Sequence, residues 1–216
     1  MTAPLPPLSP VEARVLAVLM EKARTTPDVY PLTVNALTAG CNQKTSRDPV
    51  MNLAEAEVQA GLEALRGHTL IVESFGASGR VLRYAHNFVK VYQVPAAAAD
   101  LLAVLMLRGP QTASELRANC ERLHHFADAS AVEAYLEELA TRPSGALALK
   151  LPRQPGAREP RWTHLLGGEP VLDSPAEPAW SEPPQGRGAL ELRVERLERD
   201  VAELRAMLAR FVGQGD

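Results

Sequence analysis

Apolar and polar positions along the first 166 residues run through the same order twice. Ser9-Pro10-Val11-Glu12 is a capping box with proline at the first helical position, which predicts a helix start there. Val11, Val15, Leu16 and Leu19 follow at helical spacing, so one face is expected to be buried. Thr33 caps a short second helix through Leu37 to Ala39, and Asn52 followed by Glu55 opens a third with Val58, Leu62 and Leu65 on one face. Leu70–Phe75 is rich in strand formers, Gly76-Ala77-Ser78-Gly79 can turn, and Arg80–His86 alternates as a returning strand. In the second round, Thr112-x-x-Glu115 and Ser130-x-x-Glu133 both read as capping boxes. Leu147–Leu151 and Arg161–Leu165 are its hairpin strands, joined by the loop Pro152–Pro160.

Direct sequence matches support the duplication. Leu16-Ala17-Val18-Leu19-Met20 recurs as Leu102-Ala103-Val104-Leu105-Met106, and Thr33, Leu37 and Cys41 recur as Thr112, Leu116 and Cys120. Val58-x-Ala60-x-Leu62-Glu63-x-Leu65 recurs as Val132-x-Ala134-x-Leu136-Glu137-x-Leu139, and Arg83-Tyr84-x-His86 is echoed by Arg161-Trp162-x-His164. Four matches in order point to two copies of one unit. Three helices followed by a hairpin is the order of a winged helix-turn-helix. The fold class expected is mainly α with small β-hairpins: two tandem winged helix-turn-helix domains, over residues 8–94 and 95–166. Each copy is small enough to bury only about 60% of its unfolded surface, so the two are expected to pack together.

Residues 167–188 hold five prolines and four glycines and read as a linker, with Trp180 alone inside it as a resting side chain or a short docking motif. Residues 189–212 read as a coiled-coil helix. Val194, Val201 and Leu208 take the a positions, and Leu190, Leu197, Leu204 and Phe211 take d. Valine at a with leucine at d favours a parallel pair, and Arg193 and Asp200 would meet Glu198 and Arg205 of a second copy. A homodimer through this helix is expected over an amphipathic helix folded back on the body.

Composition narrows the function classes. The net charge of −3 resolves into +1 for residues 1–94, zero for 95–168 and −4 for 169–216. A globally basic nucleic-acid coat is thereby excluded, though a local basic patch is not. No apolar run approaches the ~20 residues of a membrane helix. Met1–Pro10 carries four prolines and has neither part of a secretory signal, so a cytoplasmic location is expected. Two cysteines 79 residues apart give neither a disulfide framework nor a zinc site.

Tyr30-Pro31-Leu32-Thr33-Val34-Asn35-Ala36-Leu37, then Cys41-Asn42-Gln43-Lys44 and Arg47-Asp48-Pro49-Val50-Met51, form a distinctive pattern, continued by Leu53, Glu55 and Glu57-Val58. Together with Arg108-Gly109-Pro110-Gln111-Thr112, Phe126-Ala127-Asp128 and Leu151-Pro152-Arg153, it resembles the YceH-like family of uncharacterised bacterial proteins over roughly residues 8–166. The resemblance implies a tandem winged-helix fold and carries no activity or catalytic residues.

A winged helix usually reads DNA with its third helix, yet both third helices here are acidic. Glu55, Glu57 and Glu63 stand against Arg66 in one, and Glu133, Glu137 and Glu138 against Arg142 in the other. The phosphate backbone repels such helices from a groove. Cations collect instead in the hairpins and one loop, giving Lys44, Arg47, Arg80, Arg83, Lys150, Arg153, Arg158 and Arg161 as candidate phosphate contacts. With Leu82, Tyr84 and His86 inward, Arg83 points outward. A nucleic-acid-associated regulatory protein touching DNA through basic wings is therefore the first expectation. A protein-interaction scaffold using the acidic third helices and a dimeric tail is the alternative. No Walker loop, GxGxxG fingerprint or nucleophile elbow occurs, and His124-His125 lack the spacing of a helical metal pair, so neither an enzyme nor a cofactor is expected. His86 and His164 occupy equivalent positions and suggest a packing role. Cys41 and Cys120 read as small buried apolar residues, with a thiol activated by Lys44 as the alternative.

Overall fold

The structure, a computed structural model, describes residues 6–75, 79, 81–154 and 156–170. Helix α1 spans Pro10–Thr25, α2 Val34–Cys41 and α3 Glu55–Gly67, followed by strands β1 (Ile71–Phe75) and β2 (Leu82–His86). A short helix α4, Phe88–Tyr92, leads into the second copy. That copy comprises α5 (Ala96–Arg108), α6 (Ala113–Cys120), α7 (Ala129–Ala140), β3 (Ala148–Lys150) and β4 (Trp162–His164). The described chain is thus mainly helical with two small antiparallel hairpins, pairing Ile71 with His86 through Phe75 with Leu82, and Ala148 with His164 through Lys150 with Trp162. No helix among the described residues is long and apolar enough to cross a membrane.

Local chemistry accounts for most helix starts. The Ser9 hydroxyl accepts from the Glu12 N–H, while the Glu12 carboxylate accepts from the Ser9 N–H at 2.9 Å. Thr33 caps α2, and Thr112 with Glu115 forms the reciprocal box of α6. Two expected starts differ. Asp128, not Ser130, caps α7, because its carboxylate takes the Ala131 N–H at 2.8 Å and the Ser130 hydroxyl at 2.6 Å. Asn52 does not cap α3. That helix begins at Glu55, and the Ala54 N–H is satisfied by the Glu57 carboxylate.

Both copies lie within one unit, Met1–Pro170, centred on α1 against α5. The expectation of a single buried face on α1 is corrected: every residue from Ala13 to Met20 is buried. On α5, every residue from Ala97 to Leu107 is. A helix buried on every side, here with Arg14 and Asp100 as the charged exceptions among apolar residues, is a central one. α1 packs on α2 and α3 of its own copy and on α5, and α5 packs on α6, α7 and β4. The repeated Leu-Ala-Val-Leu-Met segment is therefore the shared core of both copies. Gly40 lets α2 close on α1, since a Cβ there would lie 2.7 Å from Val18 Cγ1. Beside this apolar seam, Arg24 Nε donates to Asp100 Oδ1 at 3.1 Å across the two copies. Burial pushes the Asp100 carboxyl above its ordinary value, and its Oδ2 has no partner.

Candidate functional site

The Asn42–Ala54 connection between α2 and α3 is far longer than the 3–4-residue turn of a simple helix-turn-helix. Buried polar contacts hold it. The Asn42 side chain pairs with Leu53 as a strand would, accepting its N–H at 2.7 Å and donating to its carbonyl at 2.9 Å. Two guanidinium groups serve the last carbonyls of α2, where a cation also meets the negative end of the helix dipole. Arg14 donates to the carbonyls of Cys41 and Pro49, and Arg47 donates to that of Gly40 from both Nε and Nη2. Arg47 also grips Glu21, at 3.1 Å to Oε1 and 2.6 Å to Oε2. Its side chain is 0% exposed. Arg47 is therefore no phosphate contact: the arginine expected at the surface is the pin of its own loop.

The repeated Arg-aromatic-x-His motif is likewise structural. Tyr84 bridges Leu32, and Trp162 bridges Gln111, each partner standing just before the cap of its second helix. Arg83 Nη1 donates to the Pro31 carbonyl at 2.8 Å, and Arg161 Nη1 donates to the Pro110 carbonyl at 2.8 Å. His86 and His164 bury Nδ1 with no partner, and burial pulls both imidazoles down to about 4. Arg83 is half-buried, as are Leu82 and His86, and its guanidinium is engaged in joining the hairpin to the start of α2.

Lys150 is also committed. It lies 2.6 Å from Glu133 and 3.8 Å from Glu137 on α7, and 5.2 Å from the Trp162 ring centroid. It offsets part of the negative charge of the third helix of its own copy. Lys44, Arg153 and Arg158 are exposed and form no ion pair among the described residues. Arg80 and the heptad residues Leu190, Val194, Leu197, Val201, Leu204, Leu208 and Phe211 lie outside the described residues, as do Trp180 and most of the linker.

A cleft of about 560 Å³ opens between the two copies. One wall is Ser46, Arg47 and Asp48; the other includes Arg108, Gln111, Glu115, Asn119, Gln154 and Arg161. Two contacts fix its floor: the Asp48 N–H donates to the Leu107 carbonyl at 2.8 Å, and Arg108 Nη2 donates to Ser46 Oγ at 2.7 Å. Ser46 takes a left-handed φ of 60° at this point. Sequence reasoning missed Arg108, which reads as an ordinary cation in the last turn of α5, favourable to the helix dipole. The cleft thus joins the loop carrying Lys44 to the hairpin loop carrying Arg153 and Arg158.

Cys41 and Cys120, both buried at the ends of equivalent helices, have thiols pushed up to about 12, chiefly by burial. Activation of Cys41 by Lys44 is thereby overturned. The guanidinium groups that act on its thiol, Arg14 and Arg47, are outweighed by loss of water.

Residues 8–157 match the family described as "Protein of unknown function, DUF480". A UPF0502 protein of Dechloromonas aromatica (strain RCB) is 56% identical over 206 residues, 94% of this chain and 95% of that protein. A UPF0502 protein of Acidovorax sp. (strain JS42) is 56% identical over 214 residues, 96% of this chain and 94% of its own. That of Delftia acidovorans is 54% identical over 211 residues, 96% and 92% of the two chains. The match spans the distinctive Cys41–Lys44 block and helices α1 through α7 of the two copies, and the chain belongs to the DUF480 family of bacterial UPF0502 proteins.

Proposed function

We propose that the two helix–helix–helix–hairpin copies are winged-helix units, and that the protein is a non-enzymatic, nucleic-acid-associated regulator that holds the phosphate backbone along the inter-copy cleft. One observation carries this reading: the loops on the two sides of the cleft carry exposed cations that form no ion pair among the described residues. Arg108 and Arg161 line it, while Lys44, Arg153 and Arg158 stand on the loops that form its two sides. The acidic α3, with Glu55, Glu57 and Glu63 exposed, does not enter a groove. Contact through loops to phosphate positions a protein without reading sequence.

The test is the salt dependence of binding to a random duplex. Each phosphate contact contributes about 0.9 to the log–log slope. Replacing Lys44, Arg153 and Arg158 together by alanine is expected to lower the slope by about 2 to 3. An unchanged slope, or no binding of wild-type protein at low salt, overturns the proposal.

A second reading has its own observation. Val72, Phe75 and Val81 of the first hairpin are 50%, 70% and 47% exposed. These exposed apolar side chains, and separately the exposed carboxylates of α3, suit a protein partner, and the heptad of residues 190–211 would present two copies of each in a homodimer. Sedimentation of the full chain and of residues 1–168 tests the dimer. Equal monomer masses remove it.

A further inference from the structure

We infer that β1 is an interface edge, pairing antiparallel with β1 of a second copy of this chain about a two-fold axis at Ser74. This names the partner in the protein-partner reading and rests on that reading for the homodimer. Backbone direction identifies the free edge. Tyr84 exchanges both backbone hydrogen bonds with Leu32, and the His86 N–H donates to the Tyr30 hydroxyl at 2.7 Å. The even-numbered residues of β2 therefore face away from β1. Ile71, Glu73 and Phe75, which stand opposite His86, Tyr84 and Leu82, turn their N–H and C=O groups away from β2 in the same way. No strand covers that side of β1 among the described residues.

The second sequence copy has the same edge closed. Trp162 exchanges its backbone bonds with Gln111 as Tyr84 does with Leu32, so β3 is the outer strand there. Lys150 stands opposite Trp162 as Glu73 stands opposite Tyr84, and two residues on, Pro152 takes the place of Phe75. Lysine and proline are the residues that block strand addition. Neither occurs within Ile71–Phe75, where Val72 and Phe75 are exposed. Two facts select the register. Ile71 is 5% exposed, so the edge open to a partner begins beyond it. A pair centred on Glu73 would need Ile71 and would set like charges opposite each other. A pair centred on Ser74 sets Glu73 of each chain against Phe75 of the other, and each such pair exchanges both backbone hydrogen bonds. The two exposed Phe75 rings become diagonal neighbours, within aromatic reach. Glu73 keeps its Arg66 partner, 3.6 Å away on its own α3.

Cysteine cross-linking in the full chain tests the inference. Residues facing each other across the axis at Ser74 lie about 4.5 Å apart at Cα, within disulfide range. The two Val72 residues would lie about 13 Å apart along the strands, well outside it. Cys41 and Cys120 are buried, and the unaltered chain serves as the blank. Under mild oxidation Ser74→Cys is expected to form a disulfide dimer at least tenfold faster than Val72→Cys, or than Gln59→Cys at an exposed position of α3. Adding Glu73→Pro should slow the Ser74→Cys reaction at least tenfold. The Glu73 N–H takes no part in the β1–β2 ladder, so proline there keeps the hairpin and blocks its edge. Phe75→Lys should slow it equally with the backbone unaltered. Equal rates at positions 59, 72 and 74, faster cross-linking of Val72→Cys, or a Ser74→Cys rate indifferent to both edge variants overturns the pairing. A chain that sediments as a dimer without preferential cross-linking of Ser74→Cys rejects the edge and keeps the homodimer through its heptad. Preferential cross-linking in a chain that sediments as a monomer when reduced keeps the edge as a weak contact and rejects the heptad pair.

Discussion

Glu21 and Arg47 meet as a two-pronged pair, a carboxylate on α1 gripping a guanidinium from the α2–α3 loop at 2.6 and 3.1 Å. The guanidinium is fully buried and the carboxylate side chain is 13% exposed. Removing one partner of such a pair strands the other charge away from water, at about 3–5 kcal/mol. Arg47→Ala and Glu21→Ala should each lower unfolding free energy by that amount in urea titrations. Arg153→Ala, at an exposed site, should change it by less than about 0.5 kcal/mol. Equal effects at the two sites would show that Arg47 does not pin the loop.

Two glycines should respond with opposite signs. Gly40→Ala forces a methyl to within 2.7 Å of Val18 Cγ1, a branched side chain inside the core. Overpacking of this kind costs about 1–3 kcal/mol, more than the roughly 1 kcal/mol that alanine gains in a helix. At Gly67, the last residue of α3, a methyl meets nothing within 4 Å. Gly67→Ala is expected to stabilise by about 0.5–1 kcal/mol. Thermal unfolding of the two variants reads the contrast directly.

The equivalent histidines set an acid limit. Their folded-state values of about 4 lie below the ordinary 6.5. Stability from keeping them neutral is fully present above pH 6.5 and is lost as pH falls through 4. Within that window the unfolded chain binds more protons, so stability rises with pH. His86→Asn and His164→Asn should each flatten the stability–pH curve between those values by close to one proton. A slope unchanged in both variants would place the acid sensitivity elsewhere.

Thiol labelling offers a kinetic check on the buried cysteines. With thiols near 12 and no access to water, Cys41 and Cys120 should react with an aromatic disulfide at pH 8 only as fast as the chain opens. Denaturant should accelerate both together. Labelling of Cys41 at the rate of free cysteine in native protein would contradict its burial.

Signals confined to a few neighbouring residues were readable in the sequence. Ser9, Thr33 and Thr112 announce their helices because cap and helix lie within three positions. The first hairpin follows from strand formers flanking a glycine-bearing turn, and the core residues Val58, Leu62 and Leu65 follow from helical periodicity. Arg47 was misplaced because it stands in a polar run while its partner is 26 positions away on α1. Ser130 with Glu133 reads as a capping box, and only the three-dimensional contacts give the role to Asp128, two residues earlier. The short α4 carries too few turns to show a period. The cleft joins residues more than a hundred positions apart, so Arg108 had no local signature of its role.

One backbone hydrogen bond bears on the order of the copies along the chain. The Leu8 N–H donates to the Leu166 carbonyl at 2.7 Å, and Gly168 lies against Pro7. Entry to the first copy and exit from the second are thus neighbours, and a short bridge between them costs little closure entropy. New termini opened at Gln93–Pro95, between α4 and α5, would place the second copy first without breaking the α1–α5 seam. Such a permutant should retain the far-ultraviolet spectrum and unfold in one transition. The ancestral duplication would then have been free to settle in either order, with the seam rather than the direction of the chain specifying the pair.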